Sequence, residues 1–192
     1  SVCIAASAHP PTIVLGEALL AAPNPAVLMF LVHRALKVIQ ANAAAFARTA
    51  PIDLWPLLAA YLKAFNQNWQ PQSVDASRLT DAYGRISRAM PASIDPQVQL
   101  LSAEVIGSIG NRASTLNTAI NGWGDRAGLL ALGDPNVALL AIACAGGHSS
   151  PPPEDGKQRL TWVGRNAEAR ELIVFSVSDS YAEARSRLGL TG

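Results

Sequence analysis

Three helix starts, each a capping residue followed directly by proline, constrain the fold of this 192-residue chain more than any other feature. They are Asn24-Pro25, Asp95-Pro96 and Asp134-Pro135. The Asn or Asp side chain accepts a hydrogen bond from an unpaired backbone N–H of the first turn, and proline suits the first helical position. The sequence therefore predicts helices from these prolines to about residues 40, 109 and 144.

The spacing of apolar residues predicts the remaining helices, and β-branched runs predict a small β element. The expected helices cover residues 54–68 with Asp53 as the cap, from Asp75 or Ser77 to 90, 113–132, 159–174 and 179–188. Residues 41–50 either continue the first long helix or form a short one. Residues 2–6 and 12–15 flank a proline-containing breaker segment and predict a hairpin or edge ribbon. The expected fold class is mainly α, with seven or eight helices and minor β structure.

Composition excludes several classes of protein. Hydrophobic residues make up 49% of the chain and charged residues 15%, which excludes a disordered chain. The net charge of +1 gives no basic field for nucleic acid, and no apolar run reaches the roughly 18 residues of a membrane span. Two cysteines without ligand spacing predict free thiols in a reducing compartment, hence a cytoplasmic location. Abundant alanine and the excess of Arg over Lys are typical of a GC-rich genome.

Two distant segments carry the polar residues that suggest a former site. The segment LVHRALK, residues 31–37, lies on the first long predicted helix, where His33 and Lys37 are four residues apart and share a face. The segment NGWGDRA, residues 121–127, lies on a later predicted helix.

The order of these elements resembles the HtpX-type zinc metallopeptidases, a gluzincin family with an edge strand, an HExxH helix and a later ExxAD helix. TIVLGEALL, residues 12–20, resembles the strand and lead-in, residues 26–39 the first motif helix, and residues 121–130 the second. The resemblance covers roughly residues 1–145 and implies a zincin-like layout. The ending FSVSDSYAEARSRLGL also resembles degenerate domains of this type that are appended to large helical-repeat bacterial proteins. It implies that the chain is a piece of a longer protein.

The departures from the two motifs imply that the catalytic apparatus is lost. Only the first histidine remains, as His33, while Arg34 stands at the catalytic glutamate position and Lys37 at the second histidine. The third ligand position is Asn121, and the aspartate of the second motif is retained as Asp125. An active site of this kind needs two histidines and a glutamate around zinc. The resemblance therefore implies no catalytic residues, no bound metal and no cofactor.

Without a metal, Asp125 would need another positive partner if it is partly buried. Lys37 or His33 is the expected partner in a structural ion pair, the alternative being that Asp125 and Lys37 both face water. His9 and His148 are further candidates to approach His33 and rebuild a metal site. Trp123 is expected to fill the emptied cleft or belong to an ordinary core, and Trp69, beside a polar loop, is a candidate for an exposed contact.

The expected function is that of a non-catalytic, pseudo-metallopeptidase module with a structural or protein-interaction role. Its partner would be another protein or neighbouring domains of a longer bacterial chain. The expected organisation is a degenerate metallopeptidase-like domain over 1–145, a Pro/Gly-rich loop over 146–158, and a C-terminal α-hairpin over 159–192 packed on the same domain. A zinc-dependent hydrolase with non-standard ligands and an unrelated all-α binding domain are the alternatives.

Overall fold

The structure is a computed structural model that describes residues 3–6, 8–21, 24–91, 93–146 and 151–190. It begins with an antiparallel hairpin of β1 (Cys3–Ala6) and β2 (Thr12–Leu15). The described residues also contain a 3₁₀ segment (Gly110–Thr115) and eleven α-helices: α1 (Glu17–Leu20), α2 (Pro25–Gln40), α3 (Ala44–Arg48), α4 (Pro51–Phe65), α5 (Ala76–Ala89), α6 (Pro96–Ile109), α7 (Leu116–Leu132), α8 (Pro135–Ala145), α9 (Gly156–Arg165), α10 (Ala167–Ser176) and α11 (Asp179–Arg187). The predicted mainly helical fold with a small N-terminal hairpin is confirmed.

The capping residues explain why α2 and α8 begin where the sequence predicts. The Asn24 side chain accepts a hydrogen bond from the backbone N–H of Ala26. Asp134 accepts from the N–H groups of Asn136 and Val137. Proline has no N–H that would need a partner at the first helical position. The cap can therefore accept hydrogen bonds from the N–H groups of the residues that follow the proline. Helices α2 and α6 keep the predicted bounds.

The helices outnumber the predicted seven or eight because one predicted segment is divided and two short helices, α1 and α3, are added. Asn166 interrupts the segment predicted as one helix over 159–174, and its side chain accepts from the N–H of Ala169 to start α10. The C-terminal stretch is therefore three helices, α9 to α11, where a helical pair was expected. Helix α4 begins at Pro51, which places Asp53 in the first turn, so the prediction of Asp53 as the cap is wrong. The short helix α1 was not predicted.

The chain forms two compact units, and the first contains both motif helices. Unit 1 consists of Ser1–Ala47 and Ala119–Gly192. Its core is built from large side chains that α2 and α8 contribute together with α1, α7 and α10. The largest fully buried ones are Phe30, Leu19, Leu129 and Ile142. Unit 1 thus has an ordinary aliphatic and aromatic core.

Unit 2 is the continuous segment Arg48–Thr118. Helices α4 and α5 pack against each other through a core of small side chains, Ala60, Ala64 and Ala82, with Ile86. In neither unit do the described residues include a helix that is both long and apolar enough to cross a membrane.

Candidate functional site

Two glycines of α7 allow α2 to approach it closely within unit 1. A Cβ atom at Gly128 would lie 2.8 Å from the ring of Phe30, and one at Gly124 would lie 2.7 Å from Cγ of Arg34. Real Cβ atoms do not approach other atoms this closely, so only glycine fits at these positions without a shift. This close approach brings the segments 31–37 and 121–127 together.

An ion pair between Arg34 and Asp125 joins the two helices. Nε of Arg34 lies 2.8 Å from Oδ1 of Asp125. Asp125 is only 3% exposed, while the Arg34 side chain is 19% exposed. The two atoms are within ion-pair distance, although the contact does not have the alignment of a hydrogen bond. The pair is therefore mainly electrostatic, in a site from which water is largely excluded.

Asn121 completes the contacts around the guanidinium. Its Oδ1 accepts a hydrogen bond of 3.2 Å from Nη2 of Arg34, and its Nδ2 donates to the carbonyl oxygen of Ala47 at 3.5 Å. Asn121 and Asp125 are four residues apart on α7 and so lie on one face. Arg34 thus contacts both polar positions of the second motif.

Burial raises the pKa of Asp125 from its ordinary value to about 6. The positive charge of Arg34 acts in the opposite direction and lowers this pKa, while the negative charge of Glu168 raises it further. Removal from water has the largest effect on this pKa, because burial disfavours the charged form of a carboxyl group. The ion pair therefore offsets only part of the free-energy cost of burying the Asp125 carboxylate.

The structure corrects the expected partner of Asp125. Lys37 donates from Nζ to Oε1 of Gln40 at 3.2 Å, on the surface of α2. Within the described part of the chain, neither Lys37 nor His33 forms an ion pair with Asp125. Arg34 takes this place because it lies on the face of α2 that meets Gly124 of α7. The alternative, in which Asp125 faces water, is also wrong.

The zinc ion that the resemblance implies for active relatives does not fit these residues. Zinc prefers three or four His, Cys or carboxylate ligands. Here the Asp125 carboxylate is next to a guanidinium, and the amide of Asn121 is bonded to Arg34 and Ala47. Across the described ranges, no group of three or more His, Cys, Asp or Glu side chains is placed to hold a metal.

The other sequence candidates lie elsewhere. His9 is exposed at the turn of the hairpin, and His148 lies outside the described residues. Trp123 is 52% exposed, so it neither fills a cleft nor belongs to a core. Trp69 is half-buried and contacts Trp55 edge-on, with ring centroids 6.3 Å apart.

Sequence reasoning missed the structural role of Arg34. Phe30, Arg34 and Val38 follow one another at four-residue steps, so they form one stripe along α2. This stripe meets Gly124 and Gly128 of α7. The part of this arrangement that the sequence shows is a cation in the middle of an otherwise apolar stripe, whereas the opposing glycines and the burial of Asp125 become visible only in the structure. Comparisons of the chain with family models, curated proteins and solved structures found no match.

Proposed function

We propose that this chain is a non-catalytic helical module with a structural or protein-interaction role, in which an ion pair stands where gluzincins hold their metal. The observation that carries the proposal is the position of Arg34. Its guanidinium contacts Asp125 and Asn121 at the place where the resemblance would put the catalytic water and zinc. The pair joins the two helices without any ligand.

The chemistry of Arg34 supports a non-catalytic role. A guanidinium has no acceptor and stays protonated in proteins, so it cannot remove a proton from water as the family's glutamate does. Its positive charge also repels a divalent cation. The substitution from an acid to a permanent cation thus removes the general base and opposes metal binding at the same time.

The surface supports a protein partner. Only 15% of residues are charged, and several large apolar side chains are exposed, among them Leu100 in unit 2 and Val177 in unit 1. Exposed apolar surface is typical of protein contacts. We propose neighbouring domains of a longer bacterial chain, or a separate cytoplasmic protein, as that partner.

Metal analysis and a cleavage assay test the non-catalytic role. We expect the purified chain, after incubation with excess Zn²⁺ and desalting, to contain well below one zinc per chain. We also expect no chelator-sensitive cleavage of a mixed peptide library. Stoichiometric zinc together with such cleavage would overturn the proposal in favour of a hydrolase with non-standard ligands.

Restoring the motif tests the kinship. The combined substitutions Arg34→Glu, Lys37→His and Asn121→Glu would rebuild the gluzincin ligand set around His33. If the layout is zincin-like, this variant should take up about one zinc per chain, as the metal replaces the lost ion pair. The variant with Lys37→His alone is the control, because it carries two histidines without the glutamates. If the triple variant is unfolded alone but folds when zinc is added, that result also shows that it binds zinc. If it binds no zinc either folded or unfolded, the chain is an unrelated all-α domain.

A further inference from the structure

A groove in unit 2 carries a different chemistry from the ion-pair site. One cavity of about 660 Å³ is lined by residues at the end of α4, by the loop after it and by α6. A second of about 320 Å³ adjoins it on the side of α5. The two share Ala64, Gln67, Ile94 and Gln99 among their lining residues, so they form one continuous groove. We call it the amide groove, and its size is that of small-molecule sites.

Uncharged amides supply most of the polar groups of the amide groove. Asn66, Gln67, Asn68 and Gln99 line the larger cavity. Asn66 is anchored, since its Nδ2 donates to the carbonyl of Leu62 and to the hydroxyl of Ser102. The side chains of Gln67, Asn68 and Gln99 are exposed, and their amides form no hydrogen bond with any other described residue. Each leaves two N–H donors and one carbonyl acceptor for a ligand.

The groove contains no ionisable charge that would select an ion. No Lys, Arg, His, Asp or Glu is among the described residues that line either cavity. A charged ligand would lose water here without gaining a counter-charge, which costs free energy. The amide groove therefore favours a neutral, polar ligand.

Aromatic rings supply the apolar part. Trp69 lines the larger cavity and Tyr83 the smaller one. The edge-on contact with Trp55 holds Trp69, and the Trp55 indole in turn donates to the carbonyl of Gln72 at 3.2 Å. A fixed, half-buried indole offers a large apolar surface at little entropic cost.

We propose that the amide groove binds a neutral carbohydrate, namely a short oligosaccharide. A sugar hydroxyl both donates and accepts, as an amide does, and the C–H surface of a sugar ring is apolar enough to pack on an indole. An uncharged peptide is less well matched. The described residues of unit 2 contain no strand to which a peptide could add, and a peptide offers no hydroxyl-rich ring to stack on the indole, so an uncharged peptide serves as the competing probe. The groove and the ion-pair site lie on different residues, so either proposal can fail without the other.

Titration of the full chain with three neutral trisaccharides tests the proposal. The probes are maltotriose, cellotriose and the β-1,4-linked trimer of N-acetylglucosamine, with an acetylated and amidated Gly-Ser-Ala repeat as the peptide probe. We expect at least one sugar to bind at millimolar concentration or below by calorimetry. Gln67→Ala and Gln99→Ala should each weaken that binding about fivefold or more, the effect of one lost hydrogen bond.

Gln97→Ala is the matched control. Gln97 is exposed on α6 two residues before Gln99 and lines neither cavity. This variant should bind the sugar with unchanged affinity. Absence of binding by all three sugars would overturn the proposal, as would sugar binding that both groove substitutions leave intact. Binding of the peptide probe alone would also overturn it and would identify a peptide groove.

Discussion

Arg34 and Asp125 are each costly to bury, and each makes the other tolerable. A carboxylate that is taken out of water loses hydration that one ion pair restores only partly, as the raised pKa of Asp125 shows. The exposed fraction of Arg34 is larger, so it retains some contact with water. The two residues therefore respond differently when their partner is removed.

Arg34→Met should destabilise the protein by about 3 kcal/mol at neutral pH, because it leaves Asp125 buried without a positive partner. Asp125→Asn should not destabilise the protein at this pH, since it removes the buried negative charge while Arg34 keeps its hydrogen bond to Asn121 and some hydration. The double variant Arg34→Met with Asp125→Leu should recover most of the loss. Urea unfolding monitored by circular dichroism measures all three. Equal stability of Arg34→Met and the native chain would show that the pair is not structural.

The pH dependence of stability has a sign that follows from the raised pKa of Asp125. In the unfolded chain an aspartate titrates near 3.9, whereas in the folded chain Asp125 titrates at about 6. The folded state therefore retains a proton that the unfolded state releases. The stabilisation from this proton is complete below pH about 4 and is lost as the pH rises through about 6.

We therefore expect the native chain to lose about 2 to 3 kcal/mol of stability relative to Asp125→Asn between acidic and neutral pH. The variant is the reference because other titrating groups contribute equally to both proteins and cancel in the difference. Unfolding free energies across this pH range give the measurement. A difference that stays constant, or that changes in favour of the native chain as pH rises, would contradict the raised pKa.

At the scale of elements, the sequence predicts helix starts best where a capping residue is followed directly by proline. The bounds of α2 follow from Asn24-Pro25 and its apolar spacing, and α11 begins at the predicted residue 179, with Ser178 as its cap. The sequence does not predict a helix boundary where a single residue ends the helix but the helical spacing of apolar residues continues on both sides of it. Asn166 divides α9 from α10 inside a segment whose apolar spacing continues across it. The segment predicted as one helix over 113–132 likewise begins as a 3₁₀ helix up to Thr115, and the spacing of its apolar residues does not reveal this change.

The glycines of α7 illustrate a second limit of sequence reasoning at this scale. On propensity, Gly122, Gly124 and Gly128 all weaken the helix by similar amounts. In the structure Gly124 and Gly128 lie against α2, while a Cβ at Gly122 would meet no atom within 4 Å. The sequence does not distinguish them, because the neighbour that matters is about ninety residues away in the chain.

Gly128→Ala should destabilise the protein by about 1 to 3 kcal/mol, because its Cβ would collide with the ring of Phe30 in a packed core. Gly122→Ala on the same helix should instead stabilise it by up to about 1 kcal/mol, through helix propensity alone. Thermal unfolding of the two variants beside the native chain separates these effects. If both variants are destabilised by the same amount, the close approach of α2 and α7 is not the reason that position 128 requires glycine.

The whole molecule differs from the expected organisation in how the helices between the two motifs are grouped. The predicted domain over 1–145 treats them as one body, whereas residues 48–118 form a unit with a core of their own. Amphipathic spacing reveals that a helix has a buried face but not which helix covers it. The retained aspartate of the candidate site could be predicted from the sequence, but its partner could not, because that partner depends on which face of α2 meets α7.

The two cores predict unequal local stability. Unit 1 buries Phe30, Leu129 and Ile142 fully or nearly so, whereas the buried side chains in the core between α4 and α5 are three alanines and Ile86, and the larger ones around them are only partly buried. The contact that holds α5 therefore removes less apolar area from water per buried side chain. Amide hydrogen exchange should therefore be faster in α5 than in α2 by about tenfold or more under native conditions, because opening unit 2 costs less free energy. Mass spectrometry of peptides from the two helices measures this difference in exchange rate.

Ala82→Gly should accelerate exchange in α5, since it weakens both the helix and its core. Ala89→Gly at the exposed end of α5 serves as the control. Equal protection of α2 and α5 in the native chain would show that core composition does not set the order of opening.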